Sequence, residues 1–269
     1  MVNKKEIKRL VVKVGTSTLT YNTGKINIRR MSMLARVLSD LKNAGMEIVL
    51  VTSGAIGVGV GKLGLAQRPK DTPGRQAAAT VGQCELMFLY DKFFGEYGNT
   101  IGQLLVTRDD FENEERRKNL HNSFMKLFEY GAIPVVNEND AVAVEEIVFG
   151  DNDSLSAHCA RITEADLLII LTDIDGLFSA NPREDENAVL IHTVEEINDE
   201  IFALAGGTGT NRGTGGMITK LHAADIAANA GIDTVVMNGS DPEDIYKLLD
   251  GRVIGTLFKA KKIGSTQEV

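Results

Sequence analysis

Residues 10–52, LVVKVGTSTLTYNTGKINIRRMSMLARVLSDLKNAGMEIVLVT, decide how the chain is read. Leu10-Val-Val-Lys-Val14 has the length and character of a buried strand, and Gly15-Thr-Ser-Thr follows it at once. From Asn27 to Ala44 the apolar residues Ile28, Met31, Leu34, Ala35, Leu38 and Leu41 fall at helical spacing, and Gly45 stops the run. Glu47-Ile-Val-Leu-Val-Thr52 is a second strand that runs directly into Ser53-Gly-Ala-Ile-Gly. Strand, helix, strand is the start of a parallel sheet.

The alternation continues outward from there. Thr72 to Phe94 reads as a helix with Ala77, Val81, Met87, Phe88 and Phe94 turned inward, and Thr100 to Thr107 as a strand. Asp109 to Tyr130 reads as one helix, with Glu112/Arg116 and Glu114/Lys118 as solvated pairs four residues apart. Ala132 to Val136 is a short apolar run, Asn152 to Ile162 a helix, and Asp166 to Thr172 a strand ending in Thr172-Asp173. A loop follows to Pro182, then a helix from Val194 to Leu204 and a glycine-rich loop from Ala205 to Gly216. Met217 to Ala230 is an alanine-rich helix, and Asp233 to Met237 and Gly255 to Phe258 are strands. No repeat or Pro/Ser-rich linker interrupts the pattern. The expected architecture is α/β, a three-layer α/β/α sandwich with a central, mainly parallel sheet, in one domain over residues 1–260 with a polar tail at 261–269.

Composition is that of a globular chain: 269 residues, 43% hydrophobic, 25% charged. A net charge of −8 argues against nucleic acid as a main partner, because phosphate backbones select a basic face, yet a nucleotide needs only a local positive site. Cys84 and Cys159 read as reduced, buried thiols, which fits a cytoplasmic protein. The longest core-like run, Leu167 to Leu171, is far short of the ~20 residues of a membrane span. The basic N-terminus leads into a run broken by Lys13, which is a first strand and no signal peptide.

The most polar feature is Asn137 to Ala157, NENDAVAVEEIVFGDNDSLSA. Asn137-Glu-Asn-Asp140 closes one apolar run, and Asp151-Asn-Asp153 lies eleven residues beyond Asp140 behind Gly150, with Val142 to Phe149 between them as a strand or hairpin arm. Two knots of amide and carboxylate at the ends of extended elements stand where α/β proteins place ligands. Together such groups hold an ammonium and a carboxylate; the alternative is a pair of Asx turns with solvated tips.

Two further features carry positive charge. The loop Gly206 to Gly216 opens into a helix through Thr214-Gly-Gly-Met-Ile-Thr-Lys220, so backbone N–H groups and the helix N-terminus can meet an anion that Lys220 also reaches. Lys13 stands inside an apolar strand, which requires that its amine emerge at the strand end or meet an anion. Other motifs are weak or missing. Gly59-Val-Gly-Lys-Leu-Gly64 spells a dinucleotide fingerprint, but it does not follow its strand directly. There is no P-loop string, and the four histidines show no paired ligand spacing, so no metal ligands are assigned.

Taken together the chain resembles the amino acid kinase family. The resemblance rests on Val11-Val-Lys-Val-Gly-Thr-Ser17, Val51-Thr-Ser-Gly-Ala55, Val136-Asn-Glu-Asn-Asp-Ala-Val142, Gly150-Asp-Asn-Asp153, Leu171-Thr-Asp173 with Gly176-Leu-Phe178, and Gly213 to Lys220, in the family's order. The nearest branch is the one that phosphorylates the side-chain carboxylate of L-glutamate, the first step of proline synthesis. Many bacterial members of that branch carry an additional C-terminal PUA domain, and this chain stops short of it.

The resemblance implies ATP and Mg²⁺, with the metal held largely through the nucleotide phosphates. It implies Lys13, Lys220 and Asp153 as catalytic residues, the lysines on the phosphate oxygens and Asp153 orienting them. It assigns glutamate binding to Ser53, Asp140 and Asn152, with Asp140 on the α-ammonium and Asn152 donating to a carboxylate. Nucleotide binding falls to Lys13, Thr172, Asp173, Thr214, Gly215, Gly216, Met217, Ile218, Thr219 and Lys220. It also implies feedback by proline and a homo-oligomer, dimer or tetramer. The same fold would serve a kinase acting on aspartate, acetylglutamate, carbamate or UMP, or a non-catalytic amino-acid sensor. A dinucleotide-dependent reductase rests on the Gly59 to Gly64 string alone.

Overall fold

The structure, a computed structural model, describes residues 7–21, 25–143, 151–205 and 216–261. The first half runs β1 (Arg9–Val14), α1 (Thr16–Leu19), α2 (Ile28–Asn43), β2 (Glu47–Val51), α3 (Ala55–Lys62), α4 (Thr72–Gly95), β3 (Ile101–Val106), α5 (Asp109–Glu112), α6 (Glu114–Glu129) and β4 (Ile133–Glu138). The second half runs α7 (Asn152–Ile162), β5 (Leu167–Thr172), β6 (Thr193–Val194), α8 (Asp199–Ala205), α9 (Met217–Asn229), β7 (Asp233–Asn238), α10 (Asp244–Leu249) and β8 (Thr256–Phe258). The eight strands form one sheet in the order β3-β4-β2-β1-β5-β7-β8-β6, and every neighbouring pair is parallel except β7 with β8.

Strand parity sorts the core into two layers. Leu10, Val12 and Val14 join Ile48, Leu50, Leu167 and Ile169 on the face covered by α2, α4 and α10. Val11 joins Val49, Val51, Leu168 and Ile170 on the face covered by α6, α7 and α9. Each aliphatic side chain fully buried in this way contributes roughly 1.5–3 kcal/mol. Lys13 has the parity of Val11, so the alternation that builds the core also sends the lysine towards α7 and α9. It pairs in register with Val51 of β2 and Ile170 of β5.

The Gly59 to Gly64 string serves packing. Most of it lies in α3, which crosses α4 at glycine-sized separation. A Cβ on Gly59 would sit 1.8 Å from the carbonyl oxygen of Ala78, and one on Gly82 would sit 1.8 Å from that of Ala55. This contact also sets the buried face of α4: Ala78, Ala79, Gly82, Gln83, Leu86, Tyr90, Phe93 and Phe94. Of the expected inward set, Phe94 is buried and Met87 packs against the core, and the others do not form the buried face. Ala77 and Phe88 are exposed, and Val81 and Met87 are only half-buried.

Other expectations need correcting too. Asp109 to Tyr130 is two helices, because Asn113 is extended and its side chain caps α6 by accepting from the Arg116 N–H. Arg116 turns back to Asp109 and Asp110, and Glu112 pairs with Arg108, in place of the expected pairs. Val194 to Leu204 divides into the end of β6 and α8, and Cys84 is exposed while Cys159 is buried. α1, α3 and α10 were not anticipated. Residues 144–150 of the expected arm, the loop 206–215 and the tail 262–269 lie outside the described residues. No helix among the described residues is long and apolar enough to cross a membrane.

Candidate active site

The C-terminal ends of β1, β2, β4 and β5 lie side by side, and each passes into a polar segment. Asp151-Asn-Asp153 enters α7 at this edge, and its three side chains have three different duties. Asp151 caps the helix, its Oδ1 accepting from the Ser154 N–H at 2.8 Å. Asn152 turns back towards β2 and β4. Asp153, wholly buried, lies between two ammonium groups: Lys13 Nζ is 2.6 Å from Oδ1 and Lys220 Nζ is 3.0 Å from Oδ2. Thr219 Oγ1 also donates to Oδ2, at 2.8 Å. Lys220 reaches this point from the first turn of α9, whose N-cap is Gly216.

Burial by itself would raise the Asp153 carboxyl. The charges of Lys13 and Lys220 outweigh it and hold the group well below the usual carboxylate range. The trio thus comprises two cations and one anion, all nearly excluded from water. It retains one positive charge, a standing attraction for an anion at the edge of the sheet.

Asn152 occupies the second part of the site. Its Nδ2 donates to the Thr52 carbonyl at 2.6 Å and to Asn137 Oδ1 at 2.8 Å, with Ser53 Oγ at 3.1 Å. Asn137 Nδ2 in turn donates to Gln83 Oε1 at 2.8 Å, and its Oδ1 also accepts from the Glu138 N–H. Thr52 Oγ1 and the buried Tyr90 hydroxyl are 2.8 Å apart. Gly54 follows Ser53 with φ of 95°, a left-handed turn that releases the chain into α3.

The sequence-derived residues thus gather unevenly. Lys13, Asp153, Thr219 and Lys220 are in contact, and Ser53 meets Asn152. Asp140 stands two residues beyond β4 and shares no hydrogen bond with Ser53 or Asn152 among the described residues. Burial raises its carboxyl, with Arg75 and Arg68 opposing. Thr172 ends β5 and donates to Asp173 at 3.3 Å; Asp173 is exposed and faces Arg183 at 3.5 Å. Gly216, Met217 and Ile218 form the start of α9. Thr214 and Gly215 lie outside the described residues. Sequence reasoning did not assign roles to Asn137, Gln83 or Tyr90. Asn137 stood in view within the first polar knot, whereas nothing local marks a glutamine or tyrosine inside a long helix.

Comparison with known proteins gives the family and the fold. The sequence pattern of the Amino acid kinase family matches residues 8–238. The chain belongs to the amino acid kinase family. A solved structure of T. acidophilum isopentenyl phosphate kinase superimposes with a TM-score of 0.65, covering 94% of this chain and 100% of that one, at 17% identity; it speaks for the fold alone. Curated relatives are nearer. A glutamate 5-kinase of Clostridium perfringens is 53% identical over 96% of this chain and 97% of its own length. One of Listeria monocytogenes is 53% identical over 96% and 95%. Within the family the chain groups with the glutamate 5-kinases.

Proposed function

We propose that the chain transfers the γ-phosphoryl group of ATP to the side-chain carboxylate of L-glutamate, giving L-glutamyl 5-phosphate for proline synthesis. The observation that carries this reading is Asp153 held between Lys13 and Lys220. A carboxylate nucleophile is ionised at pH 7, so no general base is needed. Phosphoryl transfer then depends on alignment and on neutralising charge as it spreads over the γ-oxygens. An acceptor oxygen forms the new bond to phosphorus, and the bond to the β–γ bridging oxygen breaks, its electron pair leaving with ADP.

In this reading Lys13 and Lys220 meet the transferring phosphoryl group, and Asp153 fixes both ammonium groups in place. Ser53, Asp140 and Asn152 hold glutamate, Asn152 through its carbonyl oxygen, because its NH₂ group faces the Thr52 carbonyl and Asn137 Oδ1. Because Ser53 Oγ lies within reach of the Asn152 NH₂, its own hydrogen is left to donate to a carboxylate. Thr172, Asp173 and residues 214–220 hold the nucleotide. Both oxygens of Asp153 already face lysines, which fits a Mg²⁺ held by the nucleotide phosphates rather than by a protein cage. That metal would neutralise phosphate charge. The same reading takes residues 1–260 as one domain of a cytoplasmic homo-oligomer, with feedback by proline near the glutamate site.

The test is ADP release with Mg-ATP and, in turn, L-glutamate, L-aspartate, N-acetyl-L-glutamate and UMP, with hydroxylamine to trap an acyl phosphate. Glutamate-dependent ADP with matching hydroxamate is expected. Turnover of another acceptor alone overturns the substrate assignment.

A further inference from the structure

Gln83 closes a chain of amides whose direction is fixed at its other end. The Thr52 carbonyl can only accept, so the atom of Asn152 facing it at 2.6 Å is the NH₂ group. The Glu138 N–H can only donate, so the atom of Asn137 facing it at 2.9 Å is the oxygen. These two anchors leave one arrangement: Asn152 donates to Asn137, and Asn137 donates to the oxygen of Gln83. Gln83 must then direct its own NH₂ away from Asn137. Gln83 is 8% exposed, and among the described residues no acceptor lies within hydrogen-bonding distance of Nε2. Buried donors in folded proteins are almost always paired, so an orphan at the end of a site network marks a place for an acceptor.

The same chain explains why the donor is needed. The Asn152 NH₂ is directed at protein oxygens, so the donation to a substrate carboxylate expected of it is already committed within the protein. We propose that Gln83 is a further substrate-binding residue, its Nε2 donating to a carboxylate oxygen of the acceptor amino acid and so selecting an ionised acid at that position. The proposal deepens the function proposed above and rests on it.

The test compares wild type with Gln83→Met, which keeps the volume and loses the donor, and Gln83→Glu, which still accepts from Asn137 but presents an oxygen to the substrate. The wild-type acceptor panel comes first. If UMP alone is turned over, the glutamate reading falls and this one with it, since that acceptor has no carboxylate. If another carboxylate acceptor is turned over, only the glutamate reading falls, and Gln83 is judged on that acceptor. With the acceptor known, Gln83→Met is expected to raise its KM about tenfold or more, the usual consequence of losing a hydrogen bond to a charged group. Gln83→Glu should raise it further, while kcat and the KM for ATP change far less. Lowering the pH should shrink the Gln83→Glu defect, because a protonated glutamate donates again. Unchanged acceptor KM in both variants overturns the proposal. So does a parallel loss of kcat, both KM values and melting temperature, which would mark a purely structural residue.

Discussion

Lys220 Nζ lies 3.0 Å from Asp153 Oδ2, while the other oxygen of the same carboxylate lies 2.6 Å from Lys13 Nζ. One anion thus positions two cations that come from opposite ends of the sequence. The arrangement needs β1 parity, the α7 N-terminus and the first turn of α9 to coincide. In the proposed reaction, removing either ammonium group withdraws charge from the transferring phosphoryl group and leaves the rest of the site built. Lys220→Ala is expected to lower kcat by about 10²–10³-fold, by analogy with the loss of a single transition-state donor, with a smaller change in the KM for glutamate. Steady-state kinetics with both substrates varied checks this, and a near-normal kcat would remove Lys220 from the catalytic role.

Removing the anion has a different signature. Asp153→Ala leaves two nearly buried ammonium groups with no carboxylate between them. Breaking a buried charge network in this way costs about 3–5 kcal/mol. Urea unfolding should show a loss of that order. Saturating ATP should raise the melting temperature of Asp153→Ala by more than it raises that of wild type, since phosphate oxygens replace the missing charge. Equal shifts would mean that the phosphates do not reach these lysines.

The two core faces and the polar edge of the sheet were legible in sequence because strands buried on both faces are continuous apolar runs, and an internal lysine such as Lys13 stands out within one. The inward face of α4 was not legible. Its alanines and large apolar residues are spread around the helix, so periodicity selects no side, and the face is set by backbone approach at Gly82. The break at Asn113 was hidden because asparagine is tolerated inside helical patterns and also caps them. The fates of Asp151, Asn152 and Asp153 could not be separated either: adjacent residues at a helix start point in different directions, and only the fold shows which partner each one meets.

Acid should destabilise the protein in two separate steps. Burial and the nearby charges of Arg161 and Arg108 push the His158 imidazole down to about 4 from its ordinary 6.5. Between those values the unfolded chain binds a proton that the native state refuses, so stability falls as pH drops from about 6.5 towards 4. Asp153 is depressed below the carboxylate range; its contribution is complete above that range and is lost as pH falls beneath it. Denaturant midpoints measured from pH 7.5 down to about 2 should therefore decline first below about 6.5 and again once pH falls beneath the carboxylate range. His158→Gln should flatten the first decline and leave the second. An unchanged first decline would assign it to another group.

The α3–α4 contact gives the sharpest test of how the fold supports the site. Gly82 meets the Ala55 carbonyl at a separation that a methyl group cannot enter, and Ala55 opens α3 two residues after Ser53. The next residue in α4 is Gln83, which holds Asn137. Gly82→Ala must therefore push the two helices apart and move Ser53 and Gln83, the two sides of the proposed glutamate site, together. Overpacking of this kind costs about 1–3 kcal/mol or more, and the KM for glutamate should rise with it. Gly95, at the end of the same helix, has open space where its Cβ would stand. Gly95→Ala should be neutral or stabilising by up to about 1 kcal/mol, since alanine is the better helix former. Thermal unfolding and glutamate kinetics on the two variants separate the effects. A Gly82→Ala protein with wild-type stability and KM would mean that α3 and α4 do not pack this closely.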